Sequence, residues 1–209
     1  MIEKYKFSKT LKNTKEILVL MQEFNSSAGT IFGNGKRNTI KLFELDRGII
    51  NIKSFKIPNL VNKIAYKYFR KSKARRSFEY ATILLERGIG TPEPIAFLEH
   101  FNWLGLKDSY YSSVHLPTEL TFRELVEFSD YPEHETILRQ FTKFTFSLHE
   151  QGIEFLDHSP GNTLIKKVGE KQYQFFLVDL NRMNFHSNMD FKLRMNNFSR
   201  LTPKKEMIA

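Results

Sequence analysis

The chain has 209 residues, of which 32 are basic and 23 acidic, giving a formal net charge of +9. An apolar fraction of 41% with 20 phenylalanines predicts a folded globule, since disordered chains are poor in aromatic residues. The absence of cysteine excludes disulfide scaffolds, thiolate catalysis and zinc–cysteine sites, and it suits a reducing cytosol. We expect no signal peptide, and no apolar run reaches the roughly 20 residues that span a bilayer.

The first half of the chain predicts strands with one inserted helix. Residues 1–25 fit either a leading strand or a leading helix. The helix is expected over Ser72–Arg87, because apolar residues recur there at helical spacing and glycines follow. The β-branched and alternating segments around it predict strands at Thr39–Leu45, Ile49–Ile57, 94–106 and 108–116.

The second half predicts helices with an inserted hairpin. Thr121 and Glu124 have the spacing of a capping box that opens a helix. Ile137, Phe141 and Leu148 lie on one face of a second helix. A short strand, a hairpin, an apolar strand and a mostly helical remainder are expected after it, at 153–156, 166–174, 175–179 and 180–209.

This order predicts an α+β protein with two lobes, residues 1–115 and 116–209, acting as one catalytic unit. The first lobe is expected to be an antiparallel sheet with one helix, and the second to be small and mainly helical.

Three oxygen-bearing side chains follow one another in the second lobe. Asp157 and Asn162 lie five residues apart around a Ser-Pro-Gly turn, and Asp179 ends an apolar strand. Alone, each fits a turn or a strand end. Together they fit phosphoryl transfer, which needs a carboxylate beside the attacking hydroxyl and hard oxygen ligands for Mg²⁺.

A lysine and a glutamate upstream fit the same chemistry. Lys53 lies in an otherwise apolar strand, and Glu79 on the next helix is the candidate that would hold it in place. Lys41 and Lys56 are the alternatives to Lys53, and Glu86 is the alternative to Glu79.

Two glycines before the first strand leave two interpretations open. Gly33 and Gly35 fit an ordinary hairpin turn, or a shortened loop whose N–H groups cover nucleotide phosphates. His158 fits a structural role in its loop better than a role as ligand or base.

These residues carry a resemblance to known kinases. Lys53, Glu79, "DHSPGN" (157–162) and "VDLN" (178–181) follow the order and approximate spacing of the protein-kinase signature. More narrowly, "ARRSFEYATILLERGIGTPEPIAFLE", "LHEQGI", "LDHSPGNTLI" and "NNFSRL" resemble the Kdo/WaaP-type lipopolysaccharide kinases, over roughly residues 30–202.

The resemblance implies a small bilobal protein-kinase-like fold, ATP with Mg²⁺ as cofactors, and transfer to a hydroxyl of an inner-core sugar such as Kdo on lipid A. It implies that Lys53 binds the nucleotide phosphates and that Glu79 is its partner. Asp157 matches the catalytic aspartate, and Asn162 and Asp179 match the metal ligands.

Departures from the family pattern limit the kinds of acceptor that we expect. Phe155-Leu156 stand where protein kinases have His-Arg, and Asn181 stands at the glycine of the metal motif, where asparagine tolerates left-handed backbone. Only thirty residues follow Asp179, which leaves little material to grip a peptide. We therefore expect a small or lipid-linked acceptor rather than a protein.

A basic run suggests where the protein works. Residues 63–76 contain seven Lys or Arg, three aromatic residues among them, and no acid. Such a run is either a solvated face or a contact with anionic lipid. We expect a cytoplasmic protein, with peripheral contact at the inner face of the bacterial inner membrane as one interpretation of this run.

Three other functions compete with a lipopolysaccharide kinase. They are a small atypical serine/threonine protein kinase, a pseudokinase, and a basic nucleic-acid-binding protein without catalysis. The short tail disfavours the first, the filled catalytic positions disfavour the second, and the lack of a recognition motif disfavours the third. The sequence leaves the oligomeric state open.

Overall fold

A six-stranded antiparallel sheet organises the first part of the chain in the computed structural model, which describes residues 2–9, 14–33, 38–56, 59–118 and 120–201. The chain divides into two compact units, one formed by Met1–Thr82 with Pro92–Leu116 and the other by Ile83–Thr91 with Pro117–Ala209. We call them unit 1 and unit 2.

The strands of unit 1 run in the order β1-β5-β6-β4-β3-β2 across the sheet. Their bounds are β1 (Ile2–Phe7), β2 (Thr30–Phe32), β3 (Asn38–Leu45), β4 (Gly48–Phe55), β5 (Pro94–Asn102) and β6 (Gly105–Val114). Every neighbouring pair is antiparallel, so short turns suffice to connect β3 with β4 and β5 with β6.

Three helices accompany this sheet, which corrects the expectation of one. They are α1 (Thr14–Gln22), α2 (Leu60–Tyr68) and α3 (Lys73–Glu86). The leading segment, left open between strand and helix, contains both β1 and α1. Asn59 caps α2 through its side chain, which accepts from the Asn62 N–H at 3.0 Å. The elements expected from the sequence include no helix here, although four large apolar residues recur at helical spacing, namely Leu60, Val61, Ile64 and Tyr68.

Alternation along β4 separates the two faces of the sheet. Ile50 and Ile52 join a core with α1, where Ile17 and Met21 are fully buried. Phe55 lies on the opposite face and packs in a cluster with Ala74 and Phe78 of α3 and with Phe97 of β5. Lys53 shares the face of Phe55, because residues two apart in a strand point the same way.

Unit 2 is built from helices and short strands. The helices are α4 (Phe122–Glu127), α5 (His134–Glu150) and α6 (Phe191–Phe198). The strands are β7 (Leu120–Thr121), β8 (Ile153–Phe155), β9 (Thr163–Gly169), β10 (Gln172–Leu177) and β11 (Met183–Phe185). They pair as β10-β9-β7 and as β11-β8. The α+β class is confirmed, and so is the capping box of Thr121 and Glu124 at the start of α4.

The segment after Asp179 is less helical than expected. β11 comes first and pairs with β8, with Met183 opposite Phe155 and both buried. Its strand form follows from this pairing, which the local sequence did not reveal. Of the last residues, 202–209 lie outside the described part of the chain. Within the described residues, no helix has the length and apolar character to cross a membrane.

A close approach at Gly105 fixes α2 on the sheet. Gly105 has φ +129°, and a Cβ placed there would lie 2.4 Å from the carbonyl oxygen of Lys63 in α2. Both the left-handed φ and the contact therefore require glycine.

We predict that Gly105→Ala lowers the free energy of unfolding by about 2 kcal/mol or more, through backbone strain and displacement of α2. Gly48→Ala is the matched control, because Gly48 has φ +114° but no atom within 4 Å of the position that a Cβ would take. Urea unfolding of both variants measures the difference. Equal losses would mean that the α2 contact carries no constraint.

Candidate active site

The loop between β8 and β9 in unit 2 carries Asp157 and Asn162. It begins where the Leu156 N–H donates to the Arg182 carbonyl at 3.1 Å, one step beyond the β8–β11 pairing. Inside the loop, the Ser159 N–H donates to the Asp157 carbonyl at 2.7 Å. A single 3₁₀ turn, Pro160–Asn162, then leads into β9. The loop is therefore a compact turn held at both ends by strands.

Asn162 ties this loop together through its side chain and its backbone. Its Nδ2 donates to the backbone carbonyl of Asp157 at 2.8 Å. Its own carbonyl accepts from the Val178 N–H at 3.0 Å, just past the end of β10. These two bonds bring the loop next to the chain that carries Asp179. They also leave Asn162 Oδ1, a hard oxygen, available as a ligand.

Asp179 has left-handed backbone, with φ 59°. One of its carboxylate oxygens, Oδ1, accepts from Asn181 Nδ2 at 2.7 Å, and Asn181 is buried. The left-handed residue of the "DLN" segment is thus Asp179, and not Asn181 at the glycine position. Aspartate tolerates this conformation better than most residues, and the bond from Asn181 holds its side chain.

The side-chain oxygen atoms of this region are of the type that Mg²⁺ prefers as ligands. Asn162 offers an amide oxygen and Asp179 a carboxylate, and Mg²⁺ keeps several waters while binding one or two carboxylates and phosphate oxygens. Across the described residues, no cluster of three or more His, Cys, Asp or Glu side chains forms a metal site. A kinase-type Asp–Asn pair does not need such a cluster.

The buried side chain of Asn197 supports the start of the loop. Asn197 of α6 donates through Nδ2 to the Phe155 carbonyl at 2.8 Å, two residues before Asp157. Its Oδ1 lies 3.1 Å from Nε2 of His149 in α5, and both side chains are buried. Burial lowers the pKa of His149, so the neutral ring donates this bond. Asn197 therefore positions the end of β8, two residues before Asp157.

Sequence reasoning missed this role of Asn197. The segment "NNFSRL" contributed to the family resemblance, but nothing in it distinguished Asn197 from its neighbour Asn196. The periodicity of a short, weakly amphipathic helix carries too little information to single out one buried amide.

His158 is buried inside unit 2 and does not face the solvent. Its ring lies 5.8 Å from the ring of Phe141 and 5.7 Å from that of Phe155, centroid to centroid. Burial lowers its pKa to about 4. The neutral ring is therefore a packing element under the loop, in line with the structural interpretation of this residue.

Lys53 occupies the middle of the sheet in unit 1. It pairs with Ile40 of β3 and Tyr111 of β6, and its Nζ lies 5.3 Å from the ring centroid of Phe55. It is half-buried, on the face where α3 packs. This location suits a cation held at a fixed place.

The two alternative lysines have different surroundings. Lys41 lies opposite Ile52, on the α1 face, and is buried. Its Nζ donates to the carbonyls of Ser26 at 2.6 Å and Ala28 at 3.1 Å, which gives it a structural role. Lys56 follows the end of β4 and is exposed. Neither has the position of Lys53.

Glu79 is an ion-pairing residue of α3. Its Oε2 accepts from Lys71 Nζ at 2.7 Å and its Oε1 from Arg75 Nε at 2.9 Å. Burial acts to raise its pKa, but these two hydrogen-bonded cations outweigh burial and hold the pKa below the usual range. The carboxylate is therefore charged. Glu86, its alternative, is the exposed last residue of α3. The pairing of Glu79 with Lys53 stays a prediction.

Of the two candidate phosphate-loop glycines, Gly33 lies in the described part of the chain and Gly35 does not. Gly33 follows β2 with φ +81°, and no atom lies within 4 Å of where its Cβ would be. It can therefore accommodate an approaching group. Gly35 lies outside the described residues.

Comparison with known proteins identifies the fold. No protein-family model matches the chain, and no curated protein matches it either. Among solved structures, WaaP in complex with acyl carrier protein is similar, with a TM-score of 0.65 and 13% sequence identity. The match covers 95% of this chain and 80% of that chain. The chain therefore has a fold similar to that of WaaP.

We predict that His158 makes folding stability depend on pH. The unfolded chain binds a proton at this histidine below its ordinary pKa of 6.5, whereas the folded chain does so only near 4. The free energy of unfolding therefore falls as pH drops through this window, by about 3 kcal/mol from this one group. Urea unfolding across the window measures it.

The substitution His158→Leu removes this pH-dependent contribution, because it replaces the titratable ring with an apolar side chain of similar size. The variant should lose less stability than the wild type between pH 6.5 and 4, the window set by the two pKa values. Parallel pH profiles for the two proteins would contradict the assignment.

Proposed function

We propose that the protein is an ATP-dependent kinase that transfers the γ-phosphoryl group to a hydroxyl of a lipopolysaccharide inner-core sugar, Kdo on lipid A. The observation that carries this proposal is the bonding of Asn162, to the Asp157 carbonyl by its side chain and to the Val178 N–H by its backbone. It gathers the three oxygen-bearing residues of a phosphoryl-transfer site in one small region. The WaaP-like fold supports the same class of enzyme.

Each residue of this region has a proposed role. Asp157 orients the acceptor hydroxyl and takes its proton as the acceptor oxygen forms a bond to the γ-phosphorus. The bond from the γ-phosphorus to the β,γ-bridging oxygen breaks, and ADP leaves. Asn162 Oδ1 and the Asp179 carboxylate would hold Mg²⁺, which when bound would neutralise charge on the phosphates. Asn181 keeps the Asp179 carboxylate in one orientation.

Lys53 is proposed to bind the phosphates of ATP. Its place on a central strand limits the freedom of its side chain, which lowers the entropic cost of holding an anion. Glu79 is the proposed partner of its ammonium group. Each oxygen of that carboxylate already accepts one cationic donor, and each has a second lone pair for Lys53. Gly33 and Gly35 are proposed to cover the phosphates.

Arg123 supports an acceptor that carries negative charge. This exposed residue of α4 places its guanidinium against the loop, so that a Cβ at Gly161 would lie 2.5 Å from Nη2. Arginine binds carboxylates and phosphates through two parallel N–H donors. Kdo has a carboxylate, and lipid A has phosphates, so Arg123 suits an acceptor of this class near Asp157.

We predict phosphate transfer from Mg²⁺-ATP to a Kdo-bearing lipid A acceptor in detergent, detected by mass spectrometry. Asp157→Asn should lower kcat by roughly a hundredfold or more, because the amide cannot take the proton of the hydroxyl. Asp130→Asn is the matched control, since it makes the same chemical change at an exposed site in the α4–α5 turn.

Three outcomes would contradict this assignment in different ways. Transfer to a protein acceptor such as casein, but not to the sugar lipid, would keep the kinase and remove the lipopolysaccharide acceptor. Equal turnover by the wild type and Asp157→Asn would remove the catalytic role of Asp157. Salt-dependent oligonucleotide binding without any transfer would favour the nucleic-acid alternative.

A further inference from the structure

Helix α2 turns an apolar face outward. Leu60, Val61, Ile64 and Tyr68 are all exposed, with Val61 at 76%. At 3.6 residues per turn these four positions fall within an arc of about 100°. Large apolar side chains gathered on the exposed side of a helix indicate a contact surface, since scattered ones are normal and clustered ones are not.

The inward side of α2 has the opposite character. Asn62 and Tyr66 lie on it and line a cavity of about 340 Å³ with residues of the sheet and of α3. α2 is therefore oriented with its polar side towards the protein. A surface helix normally buries its apolar side, so the exposed apolar arc needs a partner.

Two further aromatic residues extend this surface. Phe69 follows α2 and Trp103 lies in the β5–β6 turn, and each is 83% exposed. Lys67 joins the turn to the helix, because its Nζ donates to the carbonyls of Asn102 at 3.3 Å and Trp103 at 3.2 Å. With the tight contact at Gly105, the turn and the helix form one fixed surface. We call Leu60, Val61, Ile64, Tyr68, Phe69 and Trp103 the α2 face.

The charged residues in and directly after α2 are all positive. Lys63 and Lys67 lie along one edge of the apolar arc on the helix, and Arg70 follows the helix. No acidic residue occurs from Leu60 to Phe78. Lys71 and Arg75, also in the basic run, instead form ion pairs with Glu79. Lys71 and Arg75 are thus used inside unit 1, whereas Lys63 and Arg70 lie beside the exposed apolar face. Lys67 does both, because two of its three N–H donors bond the β5–β6 turn and the third remains for an external anion.

We propose that the α2 face docks on an anionic bilayer, with its apolar side chains in the headgroup region and Lys63, Lys67 and Arg70 on the lipid phosphates. Aromatic residues with an apolar body favour this depth, and each cation contributes attraction to an anionic leaflet. A second copy of this chain is a poor occupant, because two equally basic surfaces repel one another.

The purpose of this membrane contact rests on the proposed function, because an enzyme that phosphorylates a lipid-linked sugar must reach its acceptor at a bilayer surface. The docking itself depends on residues of unit 1 alone and requires neither ATP nor the acceptor. It can therefore be measured apart from catalysis.

Trp103 is the single tryptophan of the chain, so it reports directly on this face. We predict a blue shift of its fluorescence when phosphatidylcholine vesicles with a third of their lipid as phosphatidylglycerol are added. Brominated lipid should quench the emission. Vesicles of phosphatidylcholine alone should bind roughly a hundredfold less, given the contribution of three cations. Added salt should release the protein.

Variants of the face separate insertion from a nonspecific attraction. The double variant Val61→Ser/Phe69→Ser should lower vesicle affinity roughly tenfold or more, because two exposed apolar side chains no longer enter the lipid. Phe191→Ser is the matched control, with the same 76% exposure as Val61 but a place in unit 2. Asp157→Asn should bind vesicles as the wild type does.

Three results would overturn the docking proposal. One is Trp103 emission that stays unshifted and fully quenched by acrylamide with anionic vesicles. Another is equal vesicle binding by the wild type and the double variant. A third is a dimer in solution that the double variant dissociates, which would make the face an interface between copies. Vesicle binding without phosphate transfer would instead leave the docking standing and count against the proposed kinase reaction.

Discussion

The candidate site depends on one asparagine. Asn162 donates from its side chain to the carbonyl of Asp157 and accepts at its backbone from Val178. One bond closes the loop and the other joins it to the segment that carries Asp179. Its Nδ2 is used by the loop, which fixes the amide and directs Oδ1 away from that bond. A single side chain thus closes the turn and offers the oxygen that we propose as a metal ligand, and its position follows from the strand pairing on either side.

The loop is supported by neutral polar groups rather than by ion pairs. Asn197 bonds the Phe155 carbonyl and His149, and the buried His158 packs between aromatic rings. Burying a polar group costs free energy unless the group is hydrogen-bonded, and burying a charge costs far more. The folded loop therefore requires a neutral His158, because a proton on this ring would place a charge among the apolar side chains next to Asp157. Burial lowers the pKa of His158 accordingly.

The sequence predicted those parts of the molecule that local patterns determine. Strand alternation located β3 and β4, and the five-residue spacing of Asp157 and Asn162 matches a loop closed by its own hydrogen bonds. The rest depends on contacts between distant residues. β11 is a strand because β8 is beside it, and Asn197 matters because of Phe155. α2 was not predicted although its apolar residues have helical spacing, because the residues of this segment were interpreted as part of a basic run and not as a helix.

The proposed metal binding by Asn162 and Asp179 can be measured without knowledge of the acceptor. Mn²⁺ accepts the same oxygen ligands as Mg²⁺, and its electron paramagnetic resonance signal reports the free ion. Titration of Mn²⁺ with a non-hydrolysable ATP analogue should show binding to the wild type. Asp179→Asn should weaken it roughly tenfold or more, and Asp130→Asn should not. Equal Mn²⁺ affinity in all three proteins would contradict a metal site at the end of β10.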